Sequence, residues 1–132
     1  ARTYADWRAE LRNRGLPVYA LRAGASVTIG NVRLTALGPD ALCPQAPNCV
    51  SMLRLSDASQ SFLVAGNASQ REQHDMVFRG VTLRADTLIF GLTQGADPDF
   101  VHAVGARHEF SVAPISGATR LPAGRAEIWR VR

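Results

Sequence analysis

The stretch Ser61-Phe62-Leu63-Val64-Ala65-Gly66-Asn67-Ala68-Ser69 decides the fold of this chain. It begins with an apolar run that is typical of a strand, and the run ends in a Gly-Asn turn. Ser69, with Glu72 three residues later, has the pattern of a capping box and predicts a helix over 69–78. A second apolar run, Thr87 to Phe90, is typical of a buried strand. A strand, a helix and another strand in this order predict a layered α/β arrangement.

The segments on either side extend this pattern. Before the central stretch, the sequence predicts a helix over 3–14 that stops at a glycine, followed by two hairpins, the first of which turns at Gly30-Asn31. After it, Asp97-Pro98 predicts the start of a third helix, which runs through Ala103. The predicted strands are 26–29, 32–37, 50–55, 61–65, 87–90, 109–113 and 127–131, with a loop over 114–124. The predicted fold class is therefore α/β, a mixed β-sheet layered with helices.

Length and composition predict one globular unit over residues 1–132. A chain of 132 residues with 46% hydrophobic content is long enough for one buried core and too short for two domains of ordinary size. The longest stretches free of charge are interrupted by glycine and polar residues, so we expect no membrane span, and the start at Ala1 lacks the pattern of a signal peptide.

The positive charge of the chain comes from arginine alone. The formal net charge is +4, and all 15 basic residues are arginine. Arginine binds phosphate through a planar, bidentate fork, which suits a nucleic-acid backbone. The alternative is codon bias in a GC-rich genome, since the arginines are scattered rather than clustered in runs. The candidate DNA-binding residues are the terminal group Arg120, Arg125, Arg130 and Arg132.

The only two cysteines, Cys43 and Cys49, bracket a short loop that contains two prolines. Prolines restrict such a loop, so the two sulfur atoms can meet at a small entropic cost, and we favour a local disulfide. A disulfide indicates an oxidising compartment such as a periplasm or a cell surface. A two-cysteine metal site and two unrelated free thiols are the alternatives.

Catalytic side chains are scarce in the sequence. His74, His102 and His108 fit no compact metal motif, and no serine lies in a Gly-x-Ser-x-Gly elbow. Asp97 and Asp99 could bind a cation, but carboxylates at a helix start more commonly serve capping and the helix dipole. We therefore expect no catalytic residue, no metal and no cofactor.

Several of these segments together resemble a known family. The features are the run 24–39, Asn48 and Ser51 at the start of a strand, the Gly66-Asn67 turn, and the strand that ends in Gly91-Leu92-Thr93-Gln94. They are similar to the C-terminal half of the metallo-β-lactamase-like domain at the end of ComEC, the membrane DNA-uptake channel of natural competence. The resemblance implies half of an αββα sandwich and reaches to about residue 112.

The chain departs from that family at the metal-ligand positions. Asn67 stands where the family has a metal-bridging acid, and Leu92 and Thr93 stand where it has histidines. Ser116-Gly117-Ala118 takes the place of an expected His-Pro segment. Two-metal hydrolysis needs carboxylate and imidazole ligands, so the resemblance predicts a shared fold without the shared chemistry.

The sequence thus predicts a non-catalytic metallo-β-lactamase-like domain of a DNA-uptake protein, periplasmic or at the cell surface. Its expected partners are DNA, bound without sequence preference, and the remainder of a membrane channel protein. One alternative is a metal-dependent nuclease or hydrolase completed by a missing N-terminal half. A second is a structural or dimerising module, because half of a sandwich leaves one sheet face or edge for another copy to cover.

Overall fold

A computed structural model describes residues 3–18, 21–38, 52–91, 96–111 and 119–120 of the chain. Within these ranges the chain forms three helices and seven strands. In chain order the elements are α1 (Tyr4–Asn13), β1 (Ser26–Ile29), β2 (Val32–Ala36), β3 (Leu53–Ser56), β4 (Ser61–Gly66), α2 (Gln70–Phe78), β5 (Thr87–Phe90), α3 (Pro98–Val104), β6 (His108–Ser111) and β7 (Thr119–Arg120).

The seven strands form one mixed sheet in which sequence order and spatial order coincide. Strands β1 to β4 are an antiparallel meander, and β4 to β7 run parallel to one another. Helices α2 and α3 connect the parallel strands and pack against each other. The predicted α/β class, a mixed sheet layered with helices, is confirmed.

The main core lies between the parallel strands and these two helices. Leu63 and Leu88 are fully buried neighbours on β4 and β5, and Phe100 and Val104 of α3 are buried in the same cluster. The rings of Phe90 and Phe100 lie 6.3 Å apart with an interplanar angle of 57°. This tilted arrangement is one that aromatic pairs prefer.

The helix starts follow from local sequence. Ser69 accepts a hydrogen bond from the Glu72 N–H, and the Glu72 carboxylate accepts one from the Ser69 N–H at 2.7 Å. This confirms the predicted capping box. Asp97 caps α3 by accepting the Phe100 N–H at 2.9 Å, and Pro98 follows it in the first turn. That start too is as predicted, because a proline at the first helical position gives up no intrahelical hydrogen bond.

The first hairpin also forms as predicted, with Gly30 in the left-handed conformation at φ +61°. Two-residue hairpin turns of the favoured types need such positive φ angles, which glycine adopts without strain. The second predicted hairpin is β3 with β4. Its turn is closed by the Asp57 carboxylate, which accepts the N–H groups of Ser59 and Gln60 at 2.7 and 2.9 Å.

One predicted loop is corrected. Thr119–Arg120 forms β7 beside β6 inside the segment 114–124, for which the sequence predicts a loop. The strand is stabilised by backbone pairing with β6, which the local sequence does not predict. The predicted strand over 127–131 and both cysteines lie outside the described residues. Among the described helices, none combines the length and the hydrophobicity that crossing a bilayer requires.

Candidate functional site

The parallel strands β4, β5 and β6 all end at one edge of the sheet, called here the carboxyl edge. Ligands of open α/β sheets commonly bind outside the carboxyl ends of the strands. Asn67, at the end of β4, is exposed, and Gly91, at the end of β5, lies against it. The sheet therefore brings the two turns that carry the family resemblance side by side.

The approach of these two turns is close. The Gly91 N–H donates a hydrogen bond to the Gly66 carbonyl oxygen. A Cβ atom at position 91 would collide with the Asn67 Oδ1 atom and with the Gly66 carbonyl group. Gly66 itself has a φ of +56°. Both glycines are thus needed by the backbone, and the side chain placed at this turn is a neutral amide.

The other two positions of the proposed degenerate metal site, Leu92 and Thr93, lie outside the described residues. The candidate DNA-binding arginines lie mostly outside them too. Arg120 is described through its backbone in β7, whereas Arg125, Arg130 and Arg132 are beyond the described ranges. Of the predicted site residues, Asn67 is therefore the one whose side-chain surroundings the structure describes.

A buried glutamine joins the loop after β4 to the start of α3. Gln73 is 1% exposed, and its Nε2 atom donates to the Ala68 carbonyl oxygen at 2.8 Å. Its Oε1 atom accepts the Asp97 N–H, also at 2.8 Å. Both ends of this buried amide are satisfied, as buried polar groups require. The sequence gives no signal for this link, because Gln73 sits among polar residues on a surface helix.

Gln73 holds Asp97 close to the next residue of α2, His74. The His74 Nδ1 atom lies 4.0 Å from the Asp97 Oδ2 atom, and ligand atoms of His74, Asp97 and Asp99 all lie within 4.8 Å of one another. The His74 side chain is 60% exposed. Asp97 also serves as the helix cap predicted from the sequence. The three side chains could together contact one divalent cation, but each also has an ordinary surface or capping role.

The other two histidines lie elsewhere. His102 is in the last turn of α3 and His108 is the first residue of β6, and both are exposed. Both lie at the end of their element that is away from the carboxyl edge, since α3 begins at that edge and β6 ends there. Neither belongs to the group of neighbouring ligand atoms formed by His74.

A polar surface on the antiparallel meander is the second candidate site. Successive side chains of a strand point to opposite faces of the sheet. In β1, β2 and β3 this alternation places apolar side chains on one face and polar side chains on the other. The polar set is called here the Ser/Thr/Arg face. It consists of Ser26, Thr28, Arg33, Thr35, Arg54 and Ser56.

Strand pairing mixes guanidinium and hydroxyl groups on the Ser/Thr/Arg face. Arg33 lies between Thr28 and Ser56, and Thr35 lies opposite Arg54. An Arg33 Nη2 atom donates to the Ser26 hydroxyl at 3.1 Å, and the Arg54 Nε atom donates to the Arg84 carbonyl oxygen at 3.0 Å. This face is not among the sites predicted from the sequence. Its signal was present as the two-residue alternation within three predicted strands.

A scan of protein-family models gives no match for this chain, and a search of curated proteins gives no relative of significant similarity.

Proposed function

We propose that this chain is a non-catalytic domain of the metallo-β-lactamase-like type, belonging to a DNA-uptake protein similar to ComEC, and that it binds the DNA backbone outside the membrane. The observation that carries the proposal is the placement of the Asn67 amide against Gly91 at the carboxyl edge. The turn keeps the tight glycine geometry that the resemblance implies, but its side chain is neutral.

The chemistry of the amide supports a role other than hydrolysis. A metal-bridging ligand in a two-metal hydrolase is anionic, because it must hold two cations near each other while they generate hydroxide. The Asn67 amide carries no charge and would bridge two ions poorly. The domain then keeps a binding role on a scaffold of hydrolase type.

The charge of the chain supports DNA as the ligand. The sequence has 15 arginines against 11 acidic residues and no lysine. Arginine contacts to phosphate are independent of base sequence, and their strength falls steeply with salt. We therefore expect sequence-independent binding that depends on ionic strength.

The test measures binding of a fluorescent oligonucleotide of about 20 nucleotides, which exceeds a typical single-strand site of roughly 4–16. Both single-stranded and duplex forms are titrated by fluorescence anisotropy between about 50 and 200 mM salt, where phosphate contacts change affinity most visibly. We expect binding that weakens with salt, and DNA that stays intact with Mn²⁺ or Zn²⁺ present. Failure of both DNA forms to bind at the lowest salt contradicts the proposal.

A metal-dependent nuclease or hydrolase, completed by ligands from outside this chain, is the second candidate. The grouping of His74, Asp97 and Asp99 near the carboxyl edge favours it. An imidazole and two carboxylates are ligands that divalent metals accept. Stoichiometric zinc or manganese in the longest native form of the protein supports this candidate against the first.

The periplasmic or cell-surface location is part of the proposal and rests on Cys43 and Cys49. A disulfide between them would persist in an oxidising compartment. Titration of thiols in the unfolded, unreduced protein isolated from its own host is the test. We expect no free thiol, and two free thiols contradict the proposed location.

A further inference from the structure

We propose that the Ser/Thr/Arg face of the β1–β3 meander is the surface that contacts the phosphates of DNA. This inference rests on the proposed DNA-binding function and assigns it to a surface other than the arginines near the chain terminus. It also separates DNA binding from the carboxyl edge, because Ser56 of the face pairs with Ser61 at the opposite edge of the sheet, where β4 begins.

The charge of the face favours contact with phosphate. Strands β1, β2 and β3 have the sequences SVTI, VRLTA and LRLS, which contain two arginines and no aspartate or glutamate. Two carboxylates lie near the end of the sheet where β4 begins, and both keep their negative charge, because hydrogen bonds from neutral groups lower their pKa. Asp57 accepts from Ser59 and Gln60, and Asp86 accepts from Ser61. Arg107 and Arg54 both attract the Asp86 carboxylate, and the six residues of the face itself carry two positive charges and no negative one.

The Ser/Thr/Arg face also supplies hydrogen-bond donors. A guanidinium group has five N–H donors. Among the described contacts, Arg33 donates to Ser26 through one nitrogen, and Arg54 donates to the Arg84 carbonyl oxygen and to Ser56. The remaining donors of each guanidinium can reach phosphate oxygens. Serine and threonine hydroxyls are also common phosphate contacts, and they surround both arginines here.

The exposure and the spacing of these side chains also suit phosphate contacts. Ser26, Thr28 and Arg33 are exposed, and Thr35, Arg54 and Ser56 are half-buried. Arg33 and Arg54 are diagonal neighbours across the β2–β3 pair. Diagonal neighbours lie about 7–8 Å apart, so the two guanidinium groups can contact different phosphates. The face contains no aromatic residue on which a base could stack, and we therefore expect contacts to the backbone rather than to bases.

The experiment compares two double variants that lose the same charge. Arg33→Gln with Arg54→Gln removes both cations of the face. Arg12→Gln with Arg71→Gln removes two exposed arginines of α1 and α2 and is the matched control. Binding of the same single-stranded and duplex oligonucleotides is measured as a function of salt. Each lost phosphate contact lowers the slope of log K against log salt by about 0.7 for single strands and about 0.9 for duplex DNA.

We expect the face variant to lose roughly tenfold or more in affinity at low salt, and its slope of log K against log salt to fall by the amount that corresponds to about two phosphate contacts. The affinity of the control variant should stay within about threefold of that of the unmodified protein. Equal losses in both variants overturn the inference and leave the proposed function standing. If the unmodified protein binds neither DNA form, the proposed function itself fails. The two failures are therefore distinguishable.

Arg54 also supports the loop at Arg84, so its loss could weaken the fold. The single substitution Arg33→Glu avoids this difficulty. The hydrogen bond of Arg33 goes to the exposed Ser26 hydroxyl, so its loss should not weaken the fold. Its matched control is Arg12→Glu. We expect weaker DNA binding in Arg33→Glu with an unchanged thermal midpoint, and unchanged binding there contradicts the inference.

Discussion

The Asp86 Oδ2 atom accepts two hydrogen bonds from Ser61, one from its N–H at 2.8 Å and one from its hydroxyl at 2.9 Å. Ser61 begins β4 and Asp86 directly precedes β5, so this carboxylate joins the starts of two parallel strands. The bonds from Ser61 hold the pKa of Asp86 below its usual value, and the positive charges of Arg107 and Arg54 lower it further.

Asp86→Asn tests the contribution of this charge to stability. A carboxylate whose pKa is lower in the folded state stabilises the fold above its unfolded pKa, and this stabilisation is lost as the pH falls through the folded pKa. We expect Asp86→Asn to have a lower thermal midpoint than the unmodified protein at pH 7, and the difference to shrink as the pH falls below 3.8. Thermal unfolding followed by circular dichroism at several pH values measures this.

The control for that experiment is Asp75→Asn, which changes an exposed aspartate on α2. We expect it to leave the midpoint nearly unchanged at pH 7. The unmodified protein itself should lose stability in acid, since hydrogen bonds also lower the pKa of Asp6 and of Asp57. If the difference in thermal midpoint between Asp86→Asn and the unmodified protein stays constant down to the lowest pH measured, the charge of Asp86 is not the source of the stabilisation.

Gly91→Ala tests the close approach of the two turns at the carboxyl edge. The added methyl group meets the Asn67 side chain and the Gly66 carbonyl group. Overpacking of this kind typically costs about 1–3 kcal/mol. We expect a loss of that size in the free energy of unfolding, measured by urea denaturation. Gly80→Asn is the control, because that position has open space and a left-handed φ that asparagine tolerates, and it should cost clearly less.

Gln73→Ala tests the buried link between the loop after β4 and the start of α3. The change leaves the Ala68 carbonyl and the Asp97 N–H without the glutamine amide that satisfies them. A buried polar group without a partner costs about 1–3 kcal/mol, and we expect a loss of that order in the free energy of unfolding. Gln70→Ala, at the exposed start of the same helix, should stay within about 0.5 kcal/mol.

Asp97→Asn distinguishes the two candidate functions. Asparagine caps helices about as well as aspartate, so the variant should keep its thermal midpoint while the His74 group loses one anionic ligand. For the proposed non-catalytic domain, calorimetric titration with Mn²⁺ or Zn²⁺ should show no stoichiometric binding to either protein. Stoichiometric binding to the unmodified protein that is lost in Asp97→Asn favours the hydrolase.

Much of the fold follows from local sequence signals. Ser69 with Glu72, Asp97 with Pro98, and Gly30 with Asn31 each fix one helix start or turn, and each lies where the sequence predicts it. These signals are strong because the physical cause sits within a few residues. The strand β7 was not predicted, since a two-residue strand depends on pairing with β6 and is too short to show a pattern of its own.

The candidate sites were harder to predict for the same reason. His74 meets Asp97 because α2 packs against α3, and Gln73 joins them through a contact that spans 24 residues. No spacing along the chain predicts these contacts between α2 and the start of α3. The Ser/Thr/Arg face, in contrast, could be read from alternation once the register of three strands is known.

The alternation of the meander has a consequence for how the chain can vary. The polar face has an apolar counterpart on the other side of the same strands, which includes Val27, Leu34 and Leu55. Inserting one residue into β2 would exchange the two sides and place Arg33 where leucines now lie, with Leu34 turned outward. Strand register therefore decides the side of the sheet on which each arginine lies, and insertions in the hairpin turns are tolerable only when they preserve strand pairing. Selection for folding alone would therefore keep Arg33 and Arg54 on the same side of the sheet.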